Sequence, residues 1–200
     1  MSHSRHIHQP QAAAQPRDAA WDTKVRDSFG RQGVMGLLGA ELSALSPGHC
    51  EIRLPFRPDL SQQHGYFHAG IVSTIVDSAG GYAGFSLMPE GSSVLTVEYK
   101  LNMLAPADGE LIIAVGEVVK PGKNLVITRG DVYAIKNGKS THCVAMQQTL
   151  MTMHGIQDLP PAPLPAEGGD GSSPLRGSIS TLSRPRGGPS PGTSGSTSEE

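Results

Sequence analysis

Apolar and polar positions change period several times along the chain. Across residues 21–29, Trp21, Val25 and Phe29 recur at helical spacing among charged neighbours, which predicts a short surface helix. Across 37–45 and again across 50–56 the period becomes two. Cys50, Ile52, Leu54 and Phe56 alternate with Glu51, Arg53 and Pro55, and Ser46-Pro47-Gly48 between the runs reads as a hairpin turn. Residues 70–88 return to helical spacing through Ile71, Val72, Ile75, Val76, Ala79, Ala83 and Leu87. Next, Leu95, Val97, Tyr99, Leu101 and Met103 share one strand face, and Thr96, Glu98, Lys100 and Asn102 the other. Three more strand-like runs follow at 111–119, 125–135 and 141–153. Pro106-Ala107-Asp108-Gly109, Pro121-Gly122-Lys123-Asn124 and Lys136-Asn137-Gly138-Lys139 separate them, and the Asn-Gly pair in the last is a strong hairpin signal. Four long strands joined by tight turns predict an antiparallel meander. The order is short helix, two strands, central helix, four strands: an α+β fold with one long helix against a curved antiparallel sheet.

Composition divides the chain. Residues 155–200 hold nine Gly, eight Pro and nine Ser and no aromatic residue, too little apolar surface to offset the entropy of ordering. They read as a disordered tail, with a proline-rich patch at 159–165 whose default role is solvated chain. Residues 1–20 read likewise. His3, His6 and His8 lie there, but a floppy segment holds a metal weakly, so no resident metal is expected. One domain remains, at 21–154. Sixteen basic against eighteen acidic side chains give a net charge of −2, which does not suit a nucleic-acid partner. No apolar run approaches the ~20 residues of a membrane-spanning helix. Two cysteines, Cys50 and Cys143, form no metal or disulfide framework, and with no leader pattern the expected compartment is the cytoplasm.

Candidate chemistry concentrates at 60–89, where the one formally charged side chain is Asp77. A surface helix normally carries charge on its outer face, so this helix is expected to be enclosed nearly all round. Gly80, Gly81 and Gly84 follow Asp77 by three, four and seven positions. Each glycine costs ~1 kcal/mol against alanine in a helix, so the stripe implies close approach of a backbone, a helix or a ligand. A carboxylate on that face is a candidate general base or nucleophile; a structural aspartate bonded to backbone amides fits the spacing equally. Gln62, His64 and His68 sit in the loop feeding the helix. The backbone N–H groups of Ala69 and Gly70 would form a pocket for a developing oxyanion, while His68 could orient a carbonyl or simply bond the helix end. Serine-hydrolase, zinc-protease, P-loop and dinucleotide motifs are missing from the sequence.

The run His68-Ala69-Gly70 followed by Asp77-Ser78-Ala79-Gly80-Gly81 resembles the H-G-G-x6-D-x-A-x-G signature of PaaI-type hotdog-fold acyl-CoA thioesterases. Asn102-Met103-Leu104-Ala105-Pro106-Ala107 is similar to that family's N-x-L-R-P-A segment, and Gly122-Lys123 falls at its Gly-Arg or Gly-Lys turn. The resemblance spans about residues 35–153. It implies a hotdog fold, homodimers or homotetramers with active sites at the dimer interface, and no cofactor. It also implies an acid at Asp77 acting on a thioester, a polarising amide at Ala69 or Gly70, and Gln62 placing water or substrate. Three positions depart from the pattern: Ala69 replaces the first glycine, Ala105 the arginine, and Gly81 a common Ser or Thr.

The expected activity is therefore hydrolysis of acyl-CoA thioesters by Asp77, with His68 and Gln62 orienting. Tyr66, Phe67, Tyr82 and Phe85 are expected to shape the acyl pocket, with Gly81 and Asn102 also near substrate. Lys120, Lys123, Arg129, Lys136 and Lys139 are candidates for the coenzyme phosphates. The alternatives are a non-catalytic acyl-CoA-binding module on the same fold and an enoyl-CoA hydratase.

Overall fold

The computed structural model describes residues 15–156 and Asp158. Two short helices, α1 (Trp21–Arg31) and α2 (Gly33–Leu38), precede the hairpin of β1 (Glu41–Ser46) and β2 (His49–Pro55). A long helix, α3 (Ala69–Phe85), is followed by β3 (Ser92–Met103), β4 (Leu111–Pro121), β5 (Leu125–Lys136) and β6 (Lys139–His154). All six strands form one antiparallel sheet in the order β1-β2-β4-β5-β6-β3, with α3 lying against it. This is the α+β architecture that the periodicities predict. The expected tails at 1–20 and 155–200, with His3, His6, His8 and the 159–165 patch, lie largely outside the described residues.

The hairpin signals hold. Gly48 turns β1 into β2 at φ 77°, and Asn137 and Gly138 turn β5 into β6 at φ 51° and 72°, the pair of positive angles that Asn-Gly tolerates best. Other expectations need correction. Leu37 and Leu38 end helix α2 instead of opening a strand, with Gly39 closing that helix in the left-handed conformation at φ 74°. Helix α3 stops at Phe85, three residues short of 88, because Pro89 disfavours helix before it and the Ser86 hydroxyl turns back onto the Ala83 carbonyl at 2.6 Å.

The four-strand meander is also corrected. Only β4, β5 and β6 run as a meander, while β3 crosses to the far side and pairs with β6. Residues 104–110 are a crossover and not a tight turn. Backbone bonds tie this segment in turn to β6 (Leu104 N–H to Cys143 O, 2.9 Å), to the loop before α3 (Phe67 N–H to Ala107 O, 3.0 Å) and to β5 (Glu110 N–H to Ile135 O, 2.9 Å). A bulge between Thr96 and Glu98 then exchanges the faces of β3. Val94 and Leu101 pack on the core, whereas Leu95 and Val97 are about half exposed on the sheet's outer edge strand.

Glycines set how closely α3 approaches the sheet. Gly116 on β4 and Gly130 on β5 are register partners under the helix. A methyl at Gly116 would come within 2.3 Å of the Ala79 backbone, and one at Gly130 within 2.5 Å of Val76. From the helix side, Gly80 and Gly84 leave room for Gln148 and Leu150 on β6. The small-residue stripe is therefore split: Gly80 and Gly84 face the sheet, and Gly81 faces open space. Enclosure is likewise partial, since α3 is buried from Ser78 to Phe85 but exposed at Ala69 and Gly70.

Gly116→Ala is expected to lower stability by about 1–3 kcal/mol, since neither backbone can yield. Gly81→Ala is expected to be neutral or to stabilise by up to ~1 kcal/mol, through helix propensity alone. Urea unfolding of the two variants beside wild type checks the contrast, and equal losses would contradict it.

Candidate active site

Asp77 sits midway along α3 where the helix passes over β6 and β3. Its Oδ1 accepts two hydrogen bonds, from Thr96 Oγ1 at 2.9 Å and from Gln148 Nε2 at 2.5 Å. Gln148 is almost fully buried, at 1 % exposure, and its own orientation is fixed because Thr128 Oγ1, directly across the β5–β6 ladder, donates to its Oε1 at 2.8 Å. Oδ2 has no partner among the described residues. The carboxylate is thus pinned through one oxygen and presents the other to a cavity of about 420 Å³ lined by Ser78, Gly81, Tyr82, Gln32 and Thr96. Burial raises the Asp77 pKa above the ordinary 3.8, outweighing the bonds from Thr96 and Gln148.

Tyr82 forms part of the cavity wall. Its ring packs edge-on to Phe29 at 5.8 Å, its hydroxyl lies 3.4 Å from Ser28 Oγ, and burial pushes its pKa up to about 12. Helix α1, expected to be a surface helix of 21–29, extends to Arg31 and buries Val25 and Ser28, so it supplies a wall of the cavity.

Gln62 and Ala69 line a second cavity, of about 470 Å³, with Tyr66, Phe67 and the 103–107 crossover. His68 is the N-cap of α3, and its Nδ1 accepts the Gly70 N–H at 2.9 Å. That bond places the imidazole proton on Nε2, facing outward. Of the two backbone donors expected for an oxyanion, Gly70 is therefore occupied; the Ala69 N–H has no acceptor among the described residues. Gln62 Oε1 accepts the His64 N–H, and the Gln62 and Tyr66 backbones bond at 2.9 Å, which closes the turn into α3. Phe67 is buried edge-on against Phe56 at 5.1 Å.

Within one chain, then, the expected site residues fall into two groups. Asp77, Gly81 and Tyr82 line the first cavity; Gln62, Phe67 and Ala69 line the second. Asn102 is exposed on β3, bonded by Lys100 at 3.0 Å, and lines neither. The cations fall in separate places, Lys120 and Lys123 at the β4–β5 turn and Lys136 and Lys139 as register partners at the β5–β6 turn. Arg129 is paired with Glu117 and Lys136 with Asp108. Lys123 lies before β5 and Lys139 after it, a strand length of roughly 40 Å. Thr96, Gln148, Ser28 and Arg31 were not among the candidates. Thr96 carried only the signal of a polar strand position, and Gln148 looked like any polar residue of β6. No group of three or more potential metal ligands occurs among the described residues.

A family model described as the thioesterase superfamily matches residues 64–141. A protein of Halobacterium salinarum bearing an esterase name is 31% identical over 109 residues, 50% of this chain and 72% of that one. The crystal structure of a thioesterase family protein from Silicibacter pomeroyi is similar at TM-score 0.67 and 50% identity, over 68% of this chain and 99% of that one. The Escherichia coli PaaI protein of the phenylacetic acid degradation operon shares the fold at TM-score 0.60 and 14% identity, over 68% and 94% of the two chains. The helix wrapped by a curved six-stranded sheet is the hotdog fold, and the chain belongs to the thioesterase superfamily.

The raised Asp77 pKa has a consequence for stability. The folded state holds the proton more tightly than the unfolded chain, so this group's contribution is most favourable below the unfolded value and declines as pH rises through the folded one. Asp77→Asn keeps an acceptor for Thr96 and Gln148 without the buried charge. It is expected to unfold at a higher temperature than wild type at pH 7, with the gap closing below about pH 4. Scanning calorimetry over that range is the check; a variant less stable at neutral pH would contradict the reading.

Proposed function

We propose that the protein hydrolyses acyl-CoA thioesters, with Asp77 Oδ2 as the working oxygen and the Ala69 N–H holding the carbonyl oxyanion. The observation that carries this is a carboxylate at a cavity wall, fixed through one oxygen, with the other unbonded among the described residues. Oδ2 either removes a proton from water as it attacks the carbonyl, or attacks directly with water resolving the intermediate. In both, the C–S bond breaks and the CoA thiolate leaves. The Ala69 N–H, at the positive end of α3, stabilises the oxygen that gains charge. His68 caps the helix and so aims that N–H, and Gln62 shapes the same cavity. A CoA ligand is further supported by a Bacillus halodurans protein of this fold, 21% identical, solved with CoA.

Acid and oxyanion donor line different cavities in one chain, so the complete site needs two copies, Asp77 from one and Ala69 from the other. The outer edge of β3 offers the seam. No described strand pairs with it, and it carries half-exposed Leu95 and Val97, the kind of edge that a second sheet covers. The unit is thus a homodimer, able to pair again into a tetramer. The missing hydroxyl at Gly81 does not favour a mere binding module, since Thr96 already supplies a hydroxyl to Asp77.

Free-thiol release from a panel of acyl-CoAs tests the activity. Asp77→Asn is expected to lose at least about 100-fold in kcat, with the wild-type acid limb displaced above the usual carboxylate range; equal rates would overturn the assignment. Ala69→Pro removes the free N–H at a helix position that tolerates proline and is expected to be similarly inactive. Co-refolding the two dead variants should restore about a quarter of wild-type activity, because half of the dimers are mixed and each mixed dimer has one intact site. No recovery would place both groups in one chain.

A further inference from the structure

Asp158 stands where two cavities meet. With Ser28, Arg31 and Ser93 it lines the Asp77 cavity, and with Lys24, Phe85 and Ser92 it lines a neighbouring one of about 220 Å³; no other described residue lines both. Three donors hold its carboxylate there. Ser93 Oγ on β3 bonds Oδ1 at 2.6 Å, while Ser28 Oγ and, at 3.2 Å, Arg31 Nη2 on α1 bond Oδ2. Burial works to raise its pKa, but these bonds outweigh burial and leave the group below 3.8, so the partition is an anion at neutral pH.

The space behind it has different chemistry. Lys24 Nζ is paired with Asp18 at 2.8 Å, donates to the Met88 carbonyl at 3.2 Å and lies 4.6 Å from the Phe85 ring centre. Its charge is therefore already answered, and although Asp18, Glu90 and Ser92 also line this space, most of the surface it offers an entering group is carbon, from Ala20, the aliphatic stem of Lys24 and the edge of a Phe85 ring that the ammonium covers. An acyl chain growing from the Asp77 cavity towards that space meets a bonded carboxylate. Passing it would break three charge-assisted bonds and press hydrocarbon against an ion.

We propose that Asp158 is the length-setting wall of the acyl pocket: it separates the Asp77 cavity from the largely carbon-surfaced space beside Ala20 and the Lys24 stem and confines the substrate to short acyl groups. The inference rests on the thioesterase reading above. Each methylene drawn out of water is worth about fourfold in binding, so opening the wall is expected to matter most for chains several carbons longer than those wild type accepts.

The test compares full-length wild type, Asp158→Ala and Asp158→Asn on straight-chain acyl-CoAs from acetyl to decanoyl, by thiol release. Wild type should favour the short members. In Asp158→Ala the decanoyl-to-butyryl ratio of kcat/KM should rise about tenfold or more, while Asp158→Asn, equal in volume but without the charge and one acceptor oxygen, should raise it by clearly less. Ser93→Ala, which frees one carboxylate oxygen, should shift the ratio in the same direction by less, and serves if Asp158→Ala does not fold. An unchanged ratio in active variants overturns the wall and leaves the thioesterase reading standing. If wild type releases no thiol at all, that reading fails, and calorimetric binding of butyrate and decanoate then decides the wall. A gain of about tenfold for decanoate alone in Asp158→Ala supports it; unchanged affinities overturn it.

Discussion

The seat of α3 on the sheet is the contact on which the rest depends. Gly116 and Gly130, side by side on β4 and β5, let the helix backbone approach to a distance at which any methyl would collide. On the other side of the contact Gly80 makes way for Gln148. Each of these residues is a poor choice for its own element, since glycine weakens helices and strands alike. Their joint presence makes sense only through the packing they allow. Lift the helix by the width of a methyl group and Gln148 no longer reaches the Asp77 carboxylate.

From that seat the chemistry follows by division of labour between two oxygens. Thr96 and Gln148 fix Oδ1, and Oδ2 is left without a partner among the described residues, in a cavity where ionisation is disfavoured. A fold selected for stability alone would not keep this charge there; the pattern is that of a functional group maintained against its own cost. The same logic governs the start of α3. His68 satisfies the Gly70 N–H, while that of Ala69 has no acceptor among the described residues, so one donor is spent on structure and the other is the one the proposed mechanism uses.

Much of this was legible in the sequence, for identifiable reasons. Asp77 stood out because it is alone in thirty residues, and the Asn137-Gly138 hairpin because only a few residues tolerate both positive angles. The order of the strands was not legible. Alternation shows that 92–103 is a strand, but not that 104–110 carries the chain across the end of the sheet so that β3 pairs with β6. Thr96 and Gln148 were invisible for the same reason: they meet Asp77 only because β3 lies beside β6, with a bulge that sets which side chains turn inward. Ser28 and Arg31 belong to a helix whose spacing reads as surface. Asp158 lies inside a span whose composition reads as tail, yet its carboxylate bonds the wall of the cavity.

The proposed activity requires one carboxylate oxygen, poised by the glycine-seated helix, to act on a thioester whose carbonyl is held by the other copy's helix start. A crystal structure of the full chain with a non-hydrolysable thioether analogue of an acyl-CoA addresses this most directly. The expected result has Asp77 of one copy and the Ala69 N–H of a second copy converging on the reacting carbon and its oxygen, across paired β3 edges. An analogue bound with Asp77 remote from that carbon, or bound wholly within one copy, would contradict it.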